Sequence, residues 1–231
     1  GSLVERSNPV YMLRSNGSVF SGVSTLSAGT NHNAFLMDDG TVYTVGSNQS
    51  GRLGDGNNTD RSYPVQVIDY NGTPFSSVTK IDAGAIQTLF IKSQGTVWGV
   101  GSNYFGTLGD GSNIDRYNPV QVIDSNGLPL EGFTDVAAGA GHSVFLKGDG
   151  TVWSVGRNHL GQLGDGTTID RNHAVQVVDS NGEPFDEVIA ISAGGDNTVL
   201  LKSDGSVWCV GDNGGGQLGN GTLIESHVPI Q

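Results

Sequence analysis

The sequence predicts an all-β protein, a β-propeller of four four-stranded blades, from a long internal repeat and a high glycine content. Residues 12–66, 67–121, 122–176 and 177–231 align with one another without a gap, so the repeat length is 55 residues. Glycine accounts for 37 residues and charged residues for only 15% of the chain. Glycine-rich turns between short apolar runs are typical of many short strands. A gap-free repeat of this length indicates a propeller or a solenoid.

Each unit opens with an Asn-Gly turn and a first strand. The turn lies at residues 16–17 in the first unit and at residues 71–72 in the second. It is followed by a strand candidate, residues 78–81 in the second unit, because β-branched residues favour the pleated sheet surface.

The next two strands form a predicted hairpin. Residues 34–36 are apolar, and residues 42–45 alternate, with a tryptophan at the aromatic position in the other three units. Asp39-Gly40 between the two runs is a strong hairpin signal because the turn needs positive φ. The repeat therefore predicts two antiparallel strands joined by a tight turn.

A glycine-rich loop and a fourth strand complete the unit. Four glycines recur around Leu53 and its equivalents, which predicts unusual backbone angles and a close approach of strands. Residues 64–68 predict the fourth strand. Four short strands joined by tight turns make one propeller blade. Because no segment of a dozen residues has helical periodicity, we expect little or no helix.

The repeated motif resembles that of a known family. Residues 39–56 read DGTVYTVGSNQSGRLGDG, an Ala-Gly step precedes them, and Tyr63-Pro64-Val65 closes the unit. This pattern resembles the regulator of chromosome condensation repeat family, and the resemblance covers all four units. It implies a propeller, commonly of seven four-stranded blades, that serves as a platform for binding other proteins. The even spacing resembles bacterial members, which favours an extracellular or cell-surface protein of a bacterium.

The sequence leaves open how the ring closes. We interpret residues 1–231 as one propeller array in which residues 1–11 duplicate the end of a repeat, residues 221–231. Both termini therefore carry the same strand instead of complementary ones. The array is part of a larger ring, half of a homodimeric eight-bladed ring, or a compact four-bladed ring. Because an open half-ring exposes strand and core edges, we expect self-association as a homodimer.

Charge and composition argue against several classes of partner. The formal net charge is −12, and the chain has no run of lysine and arginine. An acidic surface repels phosphate backbones, so we expect no nucleic-acid partner. No apolar stretch approaches the roughly 18 residues that span a bilayer, so we expect no membrane insertion. The single cysteine, Cys209, excludes an intrachain disulfide.

Two loop motifs invite a ligand interpretation that the residues support poorly. The segment GRLGDG (residues 51–56) follows a strand but opens no helix, and a helix N-terminus is what would hold phosphate. Residues 55–60 only faintly resemble a calcium loop, since the bidentate glutamate of an EF-hand is missing. We interpret Asp60, Asp115 and Asp170 as caps of backbone amides or local ion pairs.

Histidine and cysteine positions predict no active site. His32 and His142 occupy a repeat position that carries Gln87 and Asn197 in the other units, which predicts a shared hydrogen-bonding role. No His/Cys cluster has metal-ligand spacing, and Cys209 fills a strand position. We expect no catalytic residue, no metal and no cofactor.

The informative positions are loop residues that vary while their surroundings stay fixed. In a repeat scaffold the fixed positions hold the fold, and variable loop positions on one face are free to bind. Aromatic residues dominate protein interfaces, which draws attention to the adjacent Tyr104 and Phe105. We expect partner binding through these loops, with seven candidates: Tyr104, Phe105, His159, Leu160, Gln49, Asn31 and Ile86. The competing interpretation is that the two aromatics pack against a neighbouring blade.

The sequence features are compatible with two main classes of function. The first is a non-enzymatic scaffold that binds a protein partner through variable loops on one face of the propeller. The second is a propeller hydrolase or lyase that uses acidic rim residues, although an excess of Asp and Glu equally suits a solvated surface. A structural spacer in a bacterial surface protein is a further alternative.

Overall fold

The fold is all-β, in agreement with the prediction. The computed structural model describes residues 7–231 and contains four antiparallel sheets of four strands each. Residues 1–6 of the duplicated segment 1–11 lie outside the described part, and residues 7–11 include no strand. A three-residue 3-10 turn, Gln49–Gly51, is the sole helical element of residues 7–231.

Each sheet is one blade, and its strands follow one another in chain order. Blade 1 consists of β1 Val23–Ala28, β2 His32–Met37, β3 Val42–Gly46 and β4 Arg61–Gln66. Blade 2 consists of β5 Val78–Ala83, β6 Gln87–Lys92, β7 Val97–Gly101 and β8 Arg116–Gln121. Blade 3 consists of β9 Phe133–Ala138, β10 His142–Lys147, β11 Val152–Gly156 and β12 Arg171–Gln176. Blade 4 consists of β13 Val188–Ala193, β14 Asn197–Lys202, β15 Val207–Gly211 and β16 Ser226–Ile230. Each of the four repeats therefore contains one complete sheet.

The strand register follows from the turns. In blade 1, Phe35 of β2 lies opposite Tyr43 of β3, and Met37 N donates to Thr41 O across the Asp-Gly turn at 2.8 Å. Asp39 Oδ1 accepts from both the amide and the hydroxyl of Thr41. An aspartate that caps the turn in this way fixes the hairpin, and therefore fixes which side chains face the neighbouring blade.

The cores lie between blades. The first core combines Ala34, Leu36 and Val42 of blade 1 with Val78 and Ile81 of blade 2. Equivalent residues form a core between blades 2 and 3 and another between blades 3 and 4. Each blade therefore lays its first strand over the second and third strands of the blade before it.

The outer faces of blades 1 and 4 are left uncovered. Leu26 of β1 is 68% exposed, whereas the equivalent Ile81 of β5 is only 8% exposed. Val207 of β15 is 50% exposed, whereas its equivalents in the other three blades are fully buried. Within residues 7–231 the four blades therefore form an open arc with three cores. This excludes the compact four-bladed ring, which would need a fourth core between blades 4 and 1.

Gly101 allows the third strand of blade 2 to end close to the preceding hairpin. Its φ is +120°, and a β-carbon there would lie 2.5 Å from Ile86 O and 3.0 Å from Gln87 Cα. Both the conformation and the space therefore require glycine. By contrast, Gly127 in the Asn-Gly turn also has positive φ, +77°, but a β-carbon there would meet no atom within 4 Å.

Gly101→Ala is expected to lower the free energy of unfolding by about 3 kcal/mol, because strained backbone and a steric clash with backbone act together. Gly127→Ala is the matched control, and we expect it to cost only about 1 kcal/mol for the left-handed conformation. Urea unfolding followed by circular dichroism compares the two. Equal losses in both variants would contradict the close approach at Gly101.

Candidate functional site

Two loops of every blade meet at one end of the propeller, and we call this end the loop face. Because the strands alternate in direction, the loop between the first and second strands and the loop between the third and fourth strands lie at the same end. Backbone bonds join the two loops of each blade: Ser47 N donates to Asn31 O at 2.9 Å in blade 1, and Ser102 N to Ile86 O at 3.0 Å in blade 2. All seven residues predicted from the variable loops lie on this face.

A buried asparagine organises the long loop of each blade. In blade 1, Asn48 is fully buried, and its Nδ2 donates to Asp55 Oδ1, Asn57 O and Thr59 O at 2.9–3.1 Å. Its Oδ1 accepts from Leu53 N at 2.9 Å. Asn103, Asn158 and Asn213 occupy the same position and are also fully buried. The loop conformation is therefore fixed by one side chain, and its tip residues are free to vary.

The loop carboxylates that faintly resemble a calcium loop have protein partners. Asp55 Oδ2 accepts from Arg61 Nη2 at 2.7 Å, and the equivalent pairs in blades 2 and 3 have the same contact. Asp60, Asp115 and Asp170 each accept from the backbone amide of the loop asparagine at 2.7–2.8 Å. They are therefore caps of backbone amides, as the sequence predicts. Within residues 7–231, no group of three or more acidic, His or Cys side chains has metal-site geometry.

Hydrogen bonds keep the loop carboxylates of Asp110 and Asp165 charged. Burial would raise the pKa of Asp110, but hydrogen bonds from Ser112 and Arg116 hold it below its usual value. The same balance lowers the pKa of Asp165, with Thr167 and Arg171 as the donors. Ionised carboxylates with lowered pKa values accept hydrogen bonds and do not act as general acids near neutral pH.

Tyr104 is the most prominent side chain of the loop face. It is 74% exposed, and its ring contacts Phe105 edge to face, with the centroids 4.9 Å apart. The Tyr104 carbonyl accepts from Asn113 Nδ2 at 2.9 Å. The Tyr104 ring is therefore exposed on a loop that is fixed by the Asn113 hydrogen bond and by the contact with Phe105.

Phe105 does contact the neighbouring blade. Its ring lies under the Arg157 guanidinium of blade 3, with 5.3 Å between Cζ and the ring centroid, and near Gly141. The packing interpretation therefore applies to Phe105, which is half-buried, and not to Tyr104. Phe105 positions Tyr104 and joins blade 2 to blade 3.

Arg157 is a central residue of this face that the sequence prediction did not include. Its Nη1 lies 3.3 Å from Asp196 Oδ1 of blade 4, and its Nη2 lies 2.9 Å from His159 Nε2. The Asp196 carboxylate also accepts from Gln162 Nε2 at 3.0 Å. The signal in the sequence was a charged residue at a position that carries serine in blades 1 and 2. We call Tyr104, Phe105, Arg157, His159 and Asp196 the aromatic–arginine cluster.

The other predicted residues do not join this cluster. Gln49 and Asn31 are exposed on blade 1, whereas Ile86 and Leu160 are half-buried. Leu160 N donates to Gln162 Oε1 at 3.0 Å, which ties its loop to the side chain that holds Asp196. The aromatic–arginine cluster therefore extends across blades 2, 3 and 4, and the predicted residues of blade 1 lie outside it.

His32 and His142 hold neighbouring blades together, as their repeat position predicts. His32 Nε2 lies 2.8 Å from Thr88 Oγ1 of blade 2, and His142 Nε2 lies 3.0 Å from Thr198 Oγ1 of blade 4. The Thr88 hydroxyl donates its hydrogen to Arg52 O at 2.7 Å, so His32 Nε2 must be the donor. Gln87 plays the same part between blades 2 and 3, where its Nε2 donates to Gly139 O and His142 O.

Burial keeps both histidines neutral. Desolvation lowers the pKa of His32 to about 4, helped by the charge of Arg52, and desolvation alone lowers the pKa of His142 to about 4. A neutral, fully buried imidazole whose Nε2 donates within the protein has a structural role. Neither histidine therefore belongs to the aromatic–arginine cluster.

The four repeated four-stranded blades define a β-propeller repeat protein. The regulator of chromosome condensation (RCC1) repeat matches residues 39–91, 94–146, 149–201 and 204–231, and a second form of the repeat matches residues 23–52, 133–162 and 188–217. The chain therefore belongs to the RCC1 repeat family. The first three of the four longer matches run from the hairpin turn of one blade into the second strand of the next, so each spans a blade interface, whereas the fourth lies within blade 4.

Several curated proteins resemble the chain. It is 29% identical over 209 residues to the human E3 ubiquitin-protein ligase HERC2, covering 90% of this chain and 4% of the ligase. It is 29% identical over 211 residues to the Arabidopsis thaliana ultraviolet-B receptor UVR8, covering 90% of this chain and 46% of the receptor. A Danio rerio RCC2 homologue is 32% identical over 157 residues, covering 59% of this chain and 31% of that protein. The chain thus spans less than half the length of these relatives, and a bacterial origin stays a prediction.

Solved structures have the same fold. Human WBSCR16 superimposes with a TM-score of 0.75 at 23% identity, over 90% of this chain and 51% of that one. Saccharomyces cerevisiae Prp20p superimposes with a TM-score of 0.70 at 19% identity, over 95% of this chain and 55% of that one. Four blades of this chain therefore correspond to about half of these propeller chains. Separately, no helix within residues 7–231 is long and apolar enough to cross a membrane.

Acidification from pH 6.5 to 4 is expected to destabilise the fold through the two buried histidines. Unfolding returns each imidazole to its ordinary pKa of 6.5 from about 4, so the unfolded chain binds more protons in this window. Stability is retained above pH 6.5 and falls towards pH 4, by about 3 kcal/mol for each histidine. Urea unfolding between pH 7 and pH 4 measures the slope.

The double variant His32→Gln/His142→Gln is the control, because glutamine already fills this position at Gln87. We expect it to flatten the pH dependence above pH 4, while aspartates with lowered pKa values still act below that pH. An unchanged slope in the double variant would contradict the role of the histidines.

Proposed function

We propose that the chain is a non-enzymatic interaction module that binds a protein partner through the loop face, with Tyr104 as the anchor. The observation that carries this proposal is the exposed Tyr104 ring on a base formed by Phe105 and Arg157. An aromatic side chain that is exposed but held in place loses little conformational entropy on binding. Tyrosine and arginine are also the residues most enriched at binding hot spots.

The charges of the aromatic–arginine cluster indicate what a partner would offer. Arg157 provides a guanidinium that is only partly satisfied by Asp196 and His159. A partner carboxylate beside it, together with an apolar group over Tyr104, would complement the cluster. The expectation of no nucleic-acid partner stays a prediction, supported by the net charge of −12.

Relatives support a binding role for this fold. One solved structure has Kap60 bound to yeast RCC1 (Prp20), and the study of Prp20p describes binding to Gsp1p and histones. Those partners belong to those proteins, which share only 21% and 19% identity with this chain. What supports the transfer to this chain is the general use of the propeller as a binding platform.

The geometry favours binding over catalysis. The acidic loop residues, which an enzyme of this shape would use, pair with arginines or cap backbone amides. HERC2 is named as a ligase, but this chain matches 4% of its length. The spacer role differs from binding in one respect, since a spacer needs no exposed anchor on the loop face.

Tyr104→Ala is expected to weaken partner binding by at least about 30-fold, the loss typical of a 2 kcal/mol hot spot. The partner is first identified by cross-linking the purified chain in an extract of its source cells, followed by mass spectrometry. Binding of the purified partner is then measured by calorimetry. We prefer Tyr104 to Phe105 because removing Phe105 would also disturb the contact with blade 3.

Tyr70→Ala is the matched control, because Tyr70 is also highly exposed, at 91%, but lies in the Asn-Gly turn at the opposite end of blade 2. It should leave affinity unchanged, and Arg157→Ala should weaken it. The proposal fails if Tyr104→Ala and Arg157→Ala retain full affinity while Tyr70→Ala loses it, or if no variant affects any captured protein.

A further inference from the structure

The uncovered face of blade 4 has the features of a blade interface without its second half. Val42, Val97 and Val152 are fully buried because the following blade covers them, but Val207 at the same position is 50% exposed. Val199 and Leu201 of β14 are half-buried, whereas the equivalent Ala34 and Leu36 are buried. The face therefore offers the apolar groove that the first strand of another blade fills elsewhere in the molecule.

The uncovered face of blade 1 has the matching ridge. Ile81 and Val136 reach across to the preceding blade and are 8% and 6% exposed, but Leu26 at the same position is 68% exposed. Leu26 is close in size to Ile81, so it fits a groove that is lined by valine and leucine. The two ends of the arc are thus the two halves of one kind of interface.

Backbone groups at the two ends also match. Thr30 N donates to Gly84 O, Ala85 N to Gly139 O and Ala140 N to Gly194 O, at 3.1–3.3 Å, from each blade to the next. At the open ends, the equivalent donor is Gly195 N of blade 4, which has no backbone acceptor among residues 7–231. The equivalent acceptor is Gly29 O of blade 1. A donor and an acceptor therefore stand at opposite ends of the arc.

A second series runs near the outer strands. Gly56 N donates to Tyr117 O, Gly111 N to Asn172 O and Gly166 N to His227 O, at 2.8–3.0 Å. The equivalent donor at the open end of blade 4 is Gly221 N, which also has no backbone acceptor among residues 7–231. The equivalent acceptor on blade 1 is the Ser62 carbonyl. Two rows of blade-to-blade hydrogen bonds can therefore continue past both ends.

Side chains repeat the correspondence. Where His32 meets Thr88, the open ends present Asn197 on blade 4 and Asn33 on blade 1, two amides that can each donate and accept. Ser27 Oγ of blade 1 accepts from Ala83 N of blade 2 at 3.0 Å. The equivalent residues at the open ends are Ser192 on blade 4, which has a hydroxyl acceptor, and Ala28 on blade 1, which has the backbone donor. The match is therefore both polar and apolar.

We propose that two copies of this chain close into one two-fold symmetric ring of eight blades, with blade 1 of each copy packed on blade 4 of the other. One symmetry operation satisfies both open faces of both copies, which is the condition for a closed dimer. Eight blades lie within the range of known propellers, four to eight. The chain covers 51% of WBSCR16 and 49% of yeast RCC1, so one copy provides about half a ring.

The assembly is tested on the 231-residue chain by light scattering and sedimentation over a range of concentrations. We expect a mass close to twice 24.0 kDa at high concentration and a concentration-dependent dissociation to 24.0 kDa. Leu26→Glu and Val207→Glu, made separately, bury a charge in both interfaces of the ring. Each should weaken dimerisation by at least about 100-fold, while the far-ultraviolet circular dichroism of the monomer is unchanged, because both side chains are solvated in the monomer.

Leu128→Glu is the matched control, because Leu128 is similarly exposed, at 61%, but lies in a turn of blade 3. It should leave the dimer intact, and so should Tyr104→Ala, which separates this assembly from partner binding on the loop face. A monomer at every concentration overturns the proposal and leaves the end faces to further repeats of a longer chain. A dimer that survives both Leu26→Glu and Val207→Glu overturns it as well.

Discussion

The burial of one blade beneath the first strand of the next is the interaction on which this structure depends. A single blade cannot bury its hydrophobic face by itself, and the cores of this chain lie between blades. Val42, Val97 and Val152 are fully buried only because a neighbour covers them. Burying a side chain of this size contributes about 1.5–3 kcal/mol. Stability is therefore a sum over neighbouring blades, and it is weakest where a blade has one neighbour.

The same dependence on neighbours builds the loop face. Phe105 belongs to blade 2, Arg157 and His159 to blade 3, and Asp196 to blade 4, so the aromatic–arginine cluster exists only because three blades stand in sequence. Arg52 Nη1 similarly reaches Ala85 O of the next blade at 2.8 Å. The cluster is therefore composite, and its geometry depends on the packing of successive blades.

Blade 4 departs from the others in a concerted way. The loop ion pair of blades 1 to 3 is replaced by Asn220 and Ser226, and the capping aspartate is replaced by Glu225. Losing both members of an ion pair avoids an unpaired buried charge, which would be costly. Asn213 still binds Asn220, Thr222 and Ile224, so the loop conformation is retained by the asparagine alone. The hydrogen bonds of the buried asparagine therefore maintain the loop even where the Asp–Arg ion pair is missing.

The sequence by itself determined the repeat, the four strands of each blade and the hydrogen-bonding role of His32 and His142. Hairpin turns, alternation and equivalent positions are local features, and a gap-free repeat exposes them directly. It also predicted that Tyr104 lies in a variable loop, where the structure shows its ring exposed; its role in binding a partner stays a prediction. Only the tertiary structure decided that Phe105 packs on blade 3, that Arg157 joins Asp196, and that the arc stays open between blades 4 and 1. These outcomes depend on the angle and distance between successive blades, and a one-dimensional repeat does not contain that geometry.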